Sequence, residues 1–171
     1  MNLTLTSGLG LVLGGAAIAL ILLASARWRR RRGGDWRRLA SATLEAARRT
    51  YGITDLVDAQ TAAQVRGSRI LREIDLFQLD AQDEPVRIFE LMSPVGAASD
   101  TQLALREHYE AGLEAYRSRR WKEATGELRA CLEIVPDDGP TRTLLARIEA
   151  LTRADPGPEW DGVWHPQGER R

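Results

Sequence analysis

One cysteine and two histidines are all that 171 residues provide for soft-metal or thiol chemistry. Cys131 alone excludes an internal disulfide framework and any multi-cysteine zinc site. His108 and His165 stand too far apart to suggest a metal pair by spacing. An overall charge of one sign is missing too, with 24 basic residues balancing 24 acidic ones. That argues against a wholly basic nucleic-acid binder. No strong catalytic motif is present. The length allows one ordinary domain, or two small modules and an anchor, and nothing larger.

The balanced total conceals an asymmetry. Residues 1–50 hold nine Arg against Asp35 and Glu45, whereas residues 51–171 hold 15 basic and 22 acidic side chains. The positive charge is gathered behind one apolar run, Gly8–Ala26, which has 19 residues and no charge. As a helix that run is roughly 28 Å long, close to a bilayer's hydrocarbon thickness. The cluster Arg27, Trp28, Arg29, Arg30, Arg31 and Arg32 follows it directly. Positive charge on that side predicts a cytoplasmic C-terminal region, with Trp28 at the interface. A cleaved signal peptide carries its positive charge before the apolar run, and residues 2–7 carry none. The expectation is therefore a single-pass anchor in the plasma (inner) membrane, N-terminus outside. The arginines suit anionic lipid headgroups, and nucleic acid is not an expected partner. Gly10 and Gly14 form a GxxxG pair, which fits helix dimerisation in lipid and equally the ordinary abundance of Gly in membrane helices.

Beyond Gly33-Gly34, Asp35 is placed to cap a helix over residues 36–50, with Leu39, Ala42, Thr43, Ala46 and Ala47 as a weak apolar stripe. Ile53–Val57 reads as a short strand, and Asp58 as the cap of a second helix, Ala59–Val65. Ile70–Leu79 and Val86–Leu91 read as strands joined by a turn at residues 80–85. Alternation is imperfect, with Ile70, Ile74 and Leu76 on one face and Leu71, Phe77 and Leu79 on the other. Strands apolar on both faces need cover on both sides.

The order of Leu44-Glu45, Tyr51-Gly52, Asp55–Val57, Ala59–Val65, Arg72–Leu79 and Glu84–Leu91 resembles the C-terminal portion of a class III adenylate/guanylate cyclase domain. The resemblance covers residues 36–92 and implies a ferredoxin-like αβαββ remnant. It also implies lost catalysis. The family's metal-binding Asp residues lie in earlier strands, and here the apolar segment stands in their place. Its phosphate-stabilising Asn and Arg correspond to Leu39 and Thr43, and the lysines of its hairpin turn to Asp80 and Gln82. An apolar Leu and a neutral Thr cannot offset charge developing on a phosphate. No catalytic residue, metal or cofactor is therefore expected. A truncated sheet also leaves an unpaired edge, to be closed by the chain itself or by a partner.

After a linker at residues 93–100, helices are predicted over Thr101–Ser118, Trp121–Ile134 and Thr141–Thr152. Gly112, Ala124, Leu128, Cys131 and Pro136 resemble one tetratricopeptide repeat, with the third helix as a cap. That resemblance turns Arg106, Tyr109, Leu113, Tyr116 and Arg117 toward a partner-binding face. The competing reading makes both Tyr core residues and both Arg solvated. Cys131 reads as a small buried residue rather than a nucleophile. The tail resembles the end of repeat-carrying cyclases, and its Trp160 and Trp164 are expected to dock on the helices.

The sequence thus predicts an α+β chain in six parts: an anchor (1–26), a basic juxtamembrane segment (27–35), a cyclase-like segment (36–92), a linker (93–100), a repeat-like module (101–154) and a tail (155–171). The expected role is a membrane-tethered, non-catalytic interaction protein. Its expected partners are membrane lipid and a protein, either an intact class III cyclase or a second copy of itself. A regulatory subunit of such a cyclase and a non-functional fragment are the alternatives.

Overall fold

Two structures meet in one hydrophobic core: a three-stranded antiparallel sheet and a bundle of helices that follows it in sequence. The computed structural model describes residues 35–79 and 84–166. The predicted anchor with Gly10 and Gly14, the cluster Arg27–Arg32, and the turn residues Asp80 and Gln82 lie outside them. Among the described residues no helix is long and apolar enough to cross a membrane.

Helix α1 (Asp35–Tyr51) buries Thr43, Ala47 and Tyr51, one stripe at a spacing of four. Gly52 ends it with φ +69°, a conformation that costs glycine little. Arg48 Nε then donates to the Thr54 carbonyl at 2.9 Å, holding the following loop against the helix. Strand β1 (Leu56–Asp58) is shorter than expected and leads into α2 (Ala59–Val65). The Asp58 carboxylate caps α2 by accepting from the Thr61 N–H at 2.7 Å. Helix α2 packs on β1 and β3 (Val86–Pro94).

Strand β3 lies in the middle of the sheet, between β1 and β2 (Arg69–Phe77). It continues through Ser93 and Pro94, residues expected to be linker. The alternation expected for β2 needs correction. Register shifts add Met92 on the β3 side between Ile70 and Leu71, and Ile74 on the β2 side between Glu73 and Asp75. As a result Ile74 and Phe77, predicted on opposite faces, are both fully buried in the same core.

Helix α3 (Asp100–Arg117) opens with a capping box between Ser99 and Gln102. It pairs with α4 (Trp121–Ile134), and the pairing is close because Gly112 has no side chain. A Cβ at Gly112 would stand 2.9 Å from Leu128 Cγ. Ala124, Leu128 and Cys131 are fully buried. Arg119 takes a left-handed φ of +59° in the turn between these helices. Helix α5 (Gly139–Arg153) starts at Asp138, whose carboxylate accepts from the Thr141 N–H and hydroxyl. Its first residue presses on the end of α1: a Cβ at Gly139 would stand 2.0 Å from the Tyr51 carbonyl oxygen.

Residues from Leu39 onward form one compact unit. Ala47, Tyr51, Ile74 and Ile88 from the sheet half share a core with Tyr109, Leu128, Leu144 and Ile148 from the helices. The outer edge of β2 is also closed from within the chain. The Trp164 N–H donates to the Leu76 carbonyl at 2.8 Å and its carbonyl accepts from the Gln78 N–H at 2.9 Å. The tail thereby adds a short parallel bridge where an edge strand would otherwise be open.

Candidate functional site

Buried charges need partners, and two of the four charged residues of β2, Arg72 and Asp75, are each 1% exposed. Both are answered by the helices. Arg72 Nε donates to Glu90 at 2.8 Å, its Nη2 donates to Asp138 at 2.8 Å, and the guanidinium lies over the Tyr109 ring. Burial alone would lower the Arg72 pKa, but Asp138 and Glu90 hold it above its ordinary value. Burial pushes the Glu90 carboxyl up, opposed by Arg72. The same Asp138 carboxylate caps α5, so one side chain ties the central β2–β3 pair to the start of the last helix.

Asp75 anchors the second pair. It accepts from the Tyr51 hydroxyl at 2.5 Å and from Arg147 of α5. Arg147 Nη2 also donates to the Tyr51 hydroxyl at 2.5 Å, closing a triangle drawn from α1, β2 and α5. The Trp164 ring stacks on the Arg147 guanidinium at 3.7 Å, sealing the triangle with the tail. Burial first, and Asp75 next, push the Tyr51 phenol well above its ordinary range. Tyr109, fully buried, is displaced in the same direction mainly by burial. Its hydroxyl donates to the Ile74 carbonyl at 3.0 Å.

The expected partner-binding face therefore needs a correction. Tyr109, Leu113 and Tyr116 are at most 2% exposed, because the chain's own sheet and tail pack on that side of α3. Tyr116 packs against Trp121 and Trp160 with ring centroids 5.7 and 5.2 Å apart, and burial pushes its phenol up to about 12. Trp160 thus lies on the turn between α3 and α4, while Trp164 lies over Arg147 and the β2 edge. Thr43 is buried on α1. Cys131 is fully buried, with burial raising its thiol to about 11, which suits packing and not nucleophilic attack.

Arg106 and Arg117 face a different environment. Together with Leu113 they line a cleft of about 540 Å³ between α3 and strands β2 and β3. Arg66, Arg69 and Arg87 stand on the sheet side of the same cleft. Glu73 on β2 accepts from Arg117 at 2.7 Å and from Arg87 at 3.1 Å. Sequence reasoning found Arg106 and Arg117 through the repeat resemblance of α3. It missed Arg66, Arg69 and Arg87 because only the fold brings them opposite α3. No group of three or more His, Cys, Asp and Glu is disposed to hold a metal ion among the described residues.

No protein-family model, curated protein or solved structure matches the chain.

Proposed function

We propose that this chain is a membrane-tethered, non-catalytic interaction protein: a pseudo-cyclase remnant joined to a repeat-like module and acting as a signalling scaffold. One observation carries the reading. Arg72 and Asp75, the charged residues of the cyclase-like Arg72–Leu79 motif, are committed to Asp138 and Arg147 of the helices. Charges used in this way weld the two halves into one body and are withdrawn from chemistry on a substrate. Thr43, set where the family keeps a phosphate-stabilising Arg, is buried and neutral. The tail contributes to the same end by closing the β2 edge. The tether is the apolar run Gly8–Ala26 with its following arginines.

The test is a cyclase assay on the purified full chain in detergent, with ATP or GTP and either Mg²⁺ or Mn²⁺. The expected outcome is no cyclic nucleotide. Formation of cyclic monophosphate that persists when contaminating enzymes are excluded overturns the reading. A second reading, a regulatory subunit of an intact class III cyclase, is supported by β1, which pairs with β3 on one side only among the described residues. Coexpression with an intact cyclase separates the two: a changed cyclase rate favours the subunit, and an unchanged rate removes it.

A further inference from the structure

The cleft beside α3 has a charge balance that the chain does not close. Arg66, Arg69, Arg87, Arg106 and Arg117 line it, opposed by Glu73, Glu110 and Glu114, which leaves two positive charges in excess. Glu73 already serves Arg87 and Arg117, and Glu114 accepts from the Ser118 hydroxyl at 3.2 Å. Arg66 and Arg69 have no ion pair among the described residues, and Arg106 meets Glu110 only through space. Arg106 Nε, Arg117 Nε and Arg117 Nη2 are shut off from solvent without an acceptor. Such unpaired donors are costly, and both side chains belong to the lining of the cleft. Ile70, Leu71, Phe89 and Leu113 give the same cleft an apolar lining.

We propose that this cleft binds a phosphomonoester carrying a small apolar body, a reading independent of the scaffold role above. A phosphomonoester carries about −1.5 to −2 charges at neutral pH, which matches the excess of two. Guanidinium forks meet phosphate oxygens in pairs, so arginine suits this group better than a point charge does. The volume is that of a small-molecule site, typically about 300–1,000 Å³, and not that of an extended peptide groove. The apolar lining favours an organic phosphate over the inorganic ion. The same chemistry is available from a soluble phosphorylated metabolite and from the headgroup of a phosphatidic acid.

The experiment titrates phenyl phosphate, inorganic phosphate and short-chain phosphatidic acid into the full chain in detergent, followed by calorimetry. Short-chain phosphatidylcholine serves as the lipid control. The expected result is binding of phenyl phosphate, weaker binding of inorganic phosphate, and at least a tenfold loss of affinity in R69Q/R106Q. Arg129→Gln, an exposed change on α4, should leave affinity unaltered. Because Arg69 and Arg106 make no ion pair, thermal midpoints of both variants should match the parent. Binding of phosphatidic acid that falls with R69Q/R106Q and is stronger than that of phenyl phosphate assigns the ligand to the membrane; the reverse order assigns it to solution. Absence of binding by any phosphate probe, or binding indifferent to R69Q/R106Q, overturns the proposal.

Discussion

The two interfaces of this molecule are built from different materials. Helices α3 and α4 meet mainly through atoms that are missing or apolar, with the His108–Glu127 contact at their margin: Gly112 makes room for Leu128, and Ala124 and Cys131 lie buried alongside. The sheet and the helices share an apolar core, and charge crosses it as well, with Arg72 on Asp138, Asp75 on Arg147 and Glu73 on Arg117. Dispersion and apolar burial tolerate modest rearrangement. A buried ion pair does not, because removing one partner strands the other's charge in a medium that solvates it poorly. The contrast implies that the helical hairpin is held by many small contacts, whereas the sheet is fixed in place by a few decisive ones.

Breaking the charged interface should therefore have the largest effect. Arg147→Met leaves Asp75 with the Tyr51 hydroxyl and no cation, and about 3–5 kcal/mol of stability should be lost. Asp75→Leu should cost a similar amount by stranding Arg147. The double variant R147M/D75L removes both charges, so its loss should fall well short of the sum of the single ones. Urea unfolding of the four proteins measures this coupling. Additive losses would mean that the triangle of Tyr51, Asp75 and Arg147 does not act as a unit.

The same contrast explains what could be read from the sequence. Local patterns foretold α2 with its Asp58 cap and α4 from Trp121 to Ile134, because caps and helical periodicity are written within a few residues. The small residue Gly112 was legible for the same reason. The register shifts between β2 and β3 were not, since each depends on the partner strand. Nor was the junction legible, as Arg72 and Asp138 are separated by 66 positions, and Asp75 and Arg147 by 72. The one available signal was charge inside a strand, with Arg69, Arg72, Glu73 and Asp75 set among Ile, Leu and Phe. That signal announces a buried partner without saying where it lies. Gly139 gave no signal at all, because only the fold brings it against the Tyr51 carbonyl.

The apolar interface should respond more mildly and in a different way. Gly112→Ala drives a methyl group into Leu128, and overpacking of this kind costs roughly 1–3 kcal/mol. The obstacle is a side chain, which can be trimmed. Leu128→Val combined with Gly112→Ala should recover part of the loss, so the pair should be less damaging than the sum of its parts. Thermal unfolding provides the comparison. No recovery in the double variant would indicate that backbone, rather than the Leu128 side chain, sets the spacing of α3 and α4.

Alkaline titration probes both interfaces at once, and its smallest component is the most diagnostic. Burial raises Cys131 to about 11 and lifts Tyr51, Tyr109 and Tyr116. For each group the folded state holds its proton to higher pH than the unfolded chain does. Stability is therefore fully present below the unfolded pKa and falls as pH rises past it, by at most about 1.4 kcal/mol per pH unit for each group. The unfolded thiol ionises near pH 8.5 and unfolded tyrosine near 10. The decline should begin with Cys131 and steepen when the tyrosines join. Cys131→Ala should flatten the curve between about pH 8.5 and 10 while leaving the steeper fall above 10, since Tyr51 and Tyr109 belong to the junction with the sheet. If the early slope survives in Cys131→Ala, the thiol is not the group that sets it.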